Sequence, residues 1–337
     1  MSEETIKVHR LTTEPTKAWE EISKTQKFFK INYKSPKSSN SDPKKIRIVC
    51  MSDTHSLYHY IKFQVPDGDI FIHAGNFSAG GKADEIFAFN EWLGRLPHKH
   101  KLVIAGNHEL SFDPNFKLEM TPNSSKHQAR SGLLGNKKPE NQNQPSVEES
   151  RNLLTNCTFL EDSGVELYGI KFYGTPWQPA FGPWAFGLPR GEKLLEKWHK
   201  IPANTDILIT HTPPVGFNDK TARGEHIGCV ELLSTIQKRV KPKYSIFGHV
   251  HDAYGVMTDG RTIFINASTC DINYKPNNFP IVFDIERKDL KNDEIMLEVE
   301  KNEKDVAEKR GAWVLMQIIA QYFSQFFRRI FGFIRRT

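Results

Sequence analysis

Short apolar runs separated by polar turns recur along the chain from residue 46 to residue 285. Such runs predict buried strands, and they lie at 46–51, 69–73, 101–105, 206–210, 244–247, 262–265 and 281–285. Alternation of apolar and polar residues between Val165 and Gly174 predicts two further strands in a hairpin. Regular structure is therefore expected to begin at Ile46.

Two stretches between the predicted strands have the period of a helix instead. Apolar residues recur every three or four positions from Ala83 to Leu93 and again from Gly228 to Val240. Strands that alternate with helices are typical of proteins in which helices cover the faces of a sheet. The pattern as a whole predicts the α/β class.

Three regions lack this alternation and divide the chain. Residues 1–43 are predicted to form a polar N-terminal arm and linker, and residues 44–290 a single domain. Within that domain, residues 120–150 are rich in Asn, Gln, Ser and Pro and are predicted to be a mobile insertion, with order resuming near Leu153. Residues 291–337 are predicted to form a charged linker and an amphipathic, basic C-terminal helix.

Composition limits the binding partners, the cysteine chemistry and the cellular location that the sequence predicts. The chain has 337 residues, of which 38% are hydrophobic, and a net charge of +6, an excess too mild to predict specific nucleic-acid binding. Its four cysteines are far apart and form no CxxC pair, so neither a zinc knuckle nor a disulfide framework is predicted. Because the N-terminus has no apolar leader and no long apolar run follows, a cytoplasmic protein is expected.

The C-terminal segment 313–337 is apolar around a narrow polar stripe and ends in basic residues. A helix of this kind can pack on its own domain or on a second chain. It can also bind a partner or lie peripherally on an anionic membrane surface. The sequence leaves these alternatives open.

Clusters of polar residues, of the types that bind metal ions or take part in catalysis, follow five of the predicted strands. Their members are Asp53 and His55, Asn76, the run Asn107-His108-Glu109, His211, and His249 with His251. Each cluster alone is typical of an ordinary surface turn. Together they can converge, because residues that follow parallel strands meet at one edge of a sheet. Asp and His side chains suit borderline divalent ions such as Mn, Fe, Co or Zn.

The order of these clusters, D-x-H, G-[D/N], G-N-H-E, H and G-H-x-H, resembles the calcineurin-like metallophosphoesterase superfamily. Longer strings, among them SDTHS, HAGNFSAGG, DILITHTPPVGF and FGHVHDAYGVMTDGRTIFINASTC, are similar to its animal branch, uncharacterised protein family 0046. The resemblance covers about residues 44–285 and does not include the C-terminal segment.

The resemblance implies a four-layer α/β/β/α metallophosphoesterase sandwich with two mixed sheets and one or two divalent metal ions. It implies further that a first ion binds Asp53, His55 and His251, that a second binds Asn107, His211 and His249, and that position 76 bridges them. By the same resemblance, His108 is the acid beside the leaving group and Glu109 helps to orient it. The implied substrates are small phosphodiesters or nucleotides, including cyclic nucleotides.

One position departs from the family pattern. Asn76 stands where the family has a bridging Asp, and a neutral amide is a poorer bridge between two cations than a carboxylate. We therefore expect a weakly bound second metal and low phosphodiesterase activity. The alternative is a catalytically weak nucleotide-binding or scaffold protein on the same fold, associated with membranes through its C-terminal helix.

A loop rich in aromatic residues, 173–189, is a candidate substrate wall. On this hypothesis Trp177 stacks on a base and Arg190 meets its phosphate. The competing interpretation is that the aromatic residues of this loop only pack it onto the core.

Overall fold

The computed structural model describes residues 6–34, 42–116 and 144–289. The strands in chain order are β1 Phe29–Ile31, β2 Lys45–Met51, β3 Ile70–His73, β4 His100–Val103, β5 Thr158–Phe159, β6 Ser163–Leu167, β7 Ile170–Thr175, β8 Gln178–Pro179, β9 Gly187–Leu188, β10 Ile207–Thr210, β11 Tyr244–Phe247, β12 Gly255–Thr258, β13 Ile263–Asn266 and β14 Ile281–Glu286. The helices are α1 Pro15–Ile22, α2 Ala83–Arg95, α3 Val147–Asn152, α4 Glu192–Trp198 and α5 Val230–Ser234, which continues as a π-helix over Thr235–Val240.

The strands form two large mixed sheets. One has seven strands in the order β1-β12-β13-β11-β10-β7-β6, and the other has five in the order β14-β2-β3-β4-β5. In the first sheet β7, β10, β11 and β13 run parallel, and in the second β2, β3, β4 and β5 do. The predicted hairpin is confirmed, because β6 pairs antiparallel with β7.

Alternation within the strands sets the layers. Along β2, Ile46, Ile48 and Cys50 join a buried cluster with residues of the other sheet, while Val49 and Met51 belong to a second cluster that includes helix residues. Successive side chains of a strand point to opposite faces, so each sheet packs on the other sheet with one face and on helices with the other. The predicted four-layer α/β/β/α sandwich is confirmed.

Regular structure begins well before Ile46, so that expectation was wrong. Helix α1 buries Trp19, and strand β1 pairs with β12 at the edge of the larger sheet. Trp19 fills the space over Gly216, where a Cβ atom would lie 2.2 Å from the indole ring. The sequence did not indicate α1 and β1, because a short strand and a short helix give little periodicity.

Order also resumes earlier than predicted after the polar insertion. Helix α3 begins at Val147 rather than near Leu153, because Ser146 and Glu149 form a reciprocal capping box. The predicted insertion lies mostly outside the described residues, as does the whole segment 313–337. Within the described ranges, none of the helices has the length and apolar character needed to cross a membrane.

Candidate metal centre

The five polar clusters meet where the two sheets are joined. Asp53 and His55 follow β2, Asn76 follows β3 and Asn107 follows β4, all from the smaller sheet. His211 and His249 follow β10 and β11 of the larger sheet. A parallel bridge between Ser52 and Ser268 links the sheets at this edge. The chain therefore brings together residues that are almost 200 positions apart in sequence.

Four of the clustered residues have left-handed backbone conformations. The φ angles are 52° at Asp53, 45° at His55, 56° at Asn76 and 70° at His249. Residues other than glycine rarely adopt this conformation, and it concentrates at functional sites where the surrounding structure holds it in place. The strand ends turn sharply here, and each turn directs a polar side chain into the same space.

Asp53, His55 and His251 form the first group of candidate ligands. One ligand atom from each lies within 4.8 Å of the other two. The Nε2 atoms of the two histidines are 3.2 Å apart, and Asp53 Oδ1 is 3.9 Å from that of His55 and 3.5 Å from that of His251. These separations leave one point within reach of all three side chains, which fits a single divalent cation.

Asn107, His211 and His249 form the second group. Asn107 Oδ1 lies 2.9 Å from His211 Nε2 and 3.1 Å from His249 Nδ1. His211 Nδ1 lies 2.9 Å from the carbonyl oxygen of Ala74 and donates its proton there, so in the neutral ring Nε2 carries a lone pair. Two lone pairs that face each other in a buried site fit a cation held between them.

Asn76 lies between the two groups and contacts both. Its amide nitrogen donates hydrogen bonds to Asp53 Oδ1 at 3.0 Å and to Asn107 Oδ1 at 3.2 Å. Its amide oxygen accepts the backbone N–H of His108 at 3.0 Å, which fixes the orientation of the amide. Turning the oxygen towards the ligands would place the NH₂ group against the N–H of His108. The side chain therefore presents protons where a carboxylate would present a lone pair.

The second oxygen of Asp53 is held by groups from the larger sheet. Asp53 Oδ2 accepts the hydroxyl of Ser268 at 2.8 Å and the backbone N–H of His249 at 2.9 Å. A Cβ atom at position 248 would lie 2.0 Å from Oδ2, so only Gly248 allows this approach. No sequence motif indicated Ser268, because residues 267–270, which follow β13, include no His, Asp or Glu.

Electrostatics favour a charged aspartate and neutral imidazoles at three of the four histidines, with His251 as the exception. Burial acts to raise the pKa of Asp53, but the hydrogen bond from His251 and the nearby histidines outweigh it and hold the pKa well below its ordinary value. For His251 burial acts to lower the pKa, and the bond and charge of Asp53 raise it overall. Burial lowers the pKa of His55, His211 and His249. Neutral imidazole is the form that binds metal ions.

His108 is next to the first group and is held by one ring nitrogen. Its Nδ1 lies 2.9 Å from the carbonyl oxygen of Ala79, so Nε2 is the nitrogen available for proton transfer. The ring contacts His55 edge-on at 4.5 Å between centroids and stacks on Trp184 at 4.3 Å. Burial lowers the pKa of His108 to about 4.

The Glu109 carboxylate contacts backbone groups rather than the His108 ring that it was predicted to orient. Its carboxylate accepts the backbone N–H groups of Asn76, Gly106 and Ser78 at 2.6–2.9 Å, and also the Ser78 hydroxyl at 2.8 Å. Burial raises the pKa of Glu109 to about 7, although the four hydrogen bonds act to lower it. These contacts tie the loop after β3 to the loop after β4, so Glu109 organises backbone rather than contacting the His108 ring.

The two predicted substrate residues have partners inside the protein. The Arg190 guanidinium donates to the carbonyl oxygens of Gly228 and Ile227, at 2.8 and 2.7 Å. Trp177 is 6% exposed, and its indole N–H donates to Asp162 at 3.0 Å. The structure does not support their assignment to substrate binding, because their polar groups are already satisfied.

Other aromatic side chains of the same loop reach the site. Trp184 stacks on His108, and Phe181, which is 46% exposed, contacts His249 at 5.2 Å between ring centroids. The backbone of Ala185 donates to the carbonyl oxygen of Asn107, which anchors the loop beside the second group. The sequence predicted an aromatic wall here but could not tell which rings face the ligands.

Two sheets that converge on an Asp, His and Asn cluster at their carboxyl edge define a metallophosphoesterase. The calcineurin-like phosphoesterase family model matches residues 46–253, and the chain belongs to this family. The region matched includes all seven candidate ligands.

Curated relatives agree with this assignment. Metallophosphoesterase domain-containing protein 1 of Homo sapiens is 49% identical over 251 residues, which cover 74% of each chain. A UPF0046 protein of Caenorhabditis elegans is 41% identical over 293 residues, which cover 85% of this chain and 97% of the relative. A second UPF0046 protein of the same organism is 41% identical over 281 residues, covering 83% of this chain and 70% of the relative.

Proposed function

We propose that this protein is a metal-dependent phosphodiesterase of low activity that hydrolyses small phosphodiesters or nucleotides, including cyclic nucleotides. The observation that carries the proposal is the convergence of Asp53, His55 and His251, whose ligand atoms lie within 4.8 Å of one another. The family supports hydrolase chemistry on phosphate esters. The relatives' names support no finer substrate class than this.

The side chains of the site have separable tasks in this reaction. When bound, a divalent ion supplies Lewis-acid activation of water and of the phosphoryl oxygens. Asp53 would provide the negative charge that holds the cation, and His55 and His251 would be its other two protein ligands. His108, through Nε2, is placed to give a proton to the departing ester oxygen.

Asn76 supports the low activity in the proposal. Its amide protons point at Asp53 and Asn107, where a bridging carboxylate would offer lone pairs and a second negative charge. The second group then consists of neutral ligands alone. We expect one tightly bound ion per chain, held by the first group, and a second ion that binds weakly.

Restoring the carboxylate tests the proposal directly. In Asn76→Asp we expect bound metal to rise from about one to about two ions per chain and the hydrolysis rate to rise by about tenfold or more, because two ions clamp both sides of the displacement. Metal content is measured by elemental analysis after loading with Mn²⁺, and the rate with bis(p-nitrophenyl) phosphate. Asn90→Asp adds the same charge in a buried position outside the site and should change neither value.

Each outcome separates the candidate functions. Metal-dependent hydrolysis by the wild type supports an enzyme. Equal metal content and equal rate in the wild type and Asn76→Asp would contradict the role assigned to Asn76. Nucleotide binding without any turnover, even in Asn76→Asp, would favour the second candidate, a nucleotide-binding or scaffold protein. The observation that favours this second candidate is the amide of Asn76 between the two groups.

A further inference from the structure

Tyr274 lies against the first group of ligands although no sequence pattern pointed to it. Its ring contacts His55 and His251 edge-on, at 5.0 Å between centroids in both cases. The side chain is half-buried. Among the residues that the structure describes, none forms a hydrogen bond with its hydroxyl group.

The backbone at this position is strained. Tyr274 has a φ of 53°, in the left-handed region that bulky side chains disfavour. It is held there by its neighbour Asp271, whose carboxylate accepts the backbone N–H groups of Asn273 and Lys275 and the side-chain amide of Asn277. A loop that fixes a disfavoured backbone through this many contacts is typical of a functional position.

The same loop also orients a metal ligand. The carbonyl oxygen of Asp271 lies 3.2 Å from His251 Nδ1 and accepts its proton, so His251 Nε2 turns towards Asp53. The loop therefore couples two features, a ligand in the correct tautomer and a tyrosine held across the same ligand. Packing alone would not require the left-handed backbone.

Rings line the site in a continuous row from Trp184 to Tyr274. Trp184 stacks on His108, His108 contacts His55, and His55 contacts Tyr274. A phosphate ester placed for proton transfer from His108 would lie along this row, with Tyr274 at the end opposite Trp184.

We propose that Tyr274 is a substrate-contacting residue, whose hydroxyl donates a hydrogen bond to an oxygen of the phosphate group held beside His55 and His251. The inference rests on the proposed function, because it places a phosphate at the metal centre. The second group of ligands is neutral and gives the bound phosphate no strong partner. The Tyr274 hydroxyl compensates part of the negative charge of that phosphate.

Removing only the hydroxyl tests this role. Tyr274→Phe keeps the ring against both histidines, so Mn²⁺ affinity and melting temperature should stay at the wild-type values. Inorganic phosphate should bind the Mn²⁺-loaded protein about tenfold more weakly by titration calorimetry, because a hydrogen bond to a charged group is lost. With bis(p-nitrophenyl) phosphate, kcat/KM should fall by about the same factor.

A matched control exists in the same chain. Tyr168 is also a tyrosine with a positive φ, 54°, but it lies in the turn between β6 and β7. This turn precedes β7, whereas the loops that carry the candidate ligands follow the ends of strands. Tyr168→Phe should leave phosphate affinity and kcat/KM unchanged.

The readouts distinguish this inference from the proposed function. If Tyr274→Phe binds phosphate as tightly as the wild type, the inference is wrong while the metallophosphoesterase function stands. If the wild type binds phosphate but hydrolyses nothing, the proposed function fails, and a loss of phosphate affinity in Tyr274→Phe still supports the contact. Absence of phosphate binding by the Mn²⁺-loaded wild type would overturn the inference about Tyr274.

Discussion

The two groups of candidate ligands have similar geometry but different charge. Asp53, His55 and His251 include a carboxylate, whereas Asn107, His211 and His249 are all neutral in the metal-binding form. Both groups lie at the same edge of the two sheets, each with two buried residues and one partly buried histidine, and the motif order predicted both. Charge therefore distinguishes them, since a cation taken out of water into a buried site needs compensating negative charge.

Asn76 turns this difference into an asymmetric site. A carboxylate at this position would be shared by the two groups and would balance them, whereas the amide donates protons to both. We therefore expect the metal occupancy of the second group to depend on this one bridging side chain, although every terminal ligand is present.

The largest expected difference in Mn²⁺ affinity is between two variants that each remove one histidine, one from each group. His251→Ala should weaken Mn²⁺ binding by more than about 100-fold, because even outer-shell partners of a metal site are worth about 10–100-fold. His249→Ala should change the affinity of the tight site by less than about threefold, since His249 contributes only its backbone N–H to Asp53. Titration calorimetry on metal-stripped protein measures both, and equal losses would show that the two groups act as one site.

Glu109 supports both groups, so its loss should not discriminate between them. In Glu109→Gln the amide NH₂ faces backbone N–H donors that the carboxylate accepted, and we expect the free energy of unfolding to fall by about 3 kcal/mol. Chemical denaturation measures this. Glu85→Gln is the matched control, because Glu85 also accepts two backbone N–H groups but is half-buried, and its cost should be clearly smaller. Equal costs would contradict the organising role of Glu109.

Ser268 contacts the first group alone and gives the smallest expected effect. Ser268→Ala removes the hydroxyl that holds Asp53 Oδ2, and Mn²⁺ affinity of the tight site should fall by about tenfold with little change in melting temperature. Ser268→Thr keeps a hydroxyl and should restore much of the affinity. Ser245→Ala removes a buried serine hydroxyl that has no hydrogen-bond partner in the described structure, and it should leave metal binding unchanged.

The sequence is most informative where a motif follows a strand. The convergence of Asp53, His55 and His251 was predicted and is found, because strand ends in parallel sheets share an edge. The sequence is least informative for Trp177 and Arg190. The direction of their side chains depends on partners at Asp162 and Gly228 that no local pattern reveals. The N-terminal helix and strand were missed for the same reason, since Trp19 is buried by Gly216 and its neighbours far along the chain.

The sequence by itself determined the α/β class and the candidate ligands, because strand periodicity and ligand spacing are local properties of the chain, and its motif strings carried the resemblance to the family. It also showed the departure at Asn76, although it could not show which way the amide points. Only the tertiary structure decided that orientation, and it alone brought Ser268 and Tyr274 to the ligands. These features arise from contacts between residues that are distant in sequence, and side-chain direction at such contacts is set by packing rather than by the local pattern.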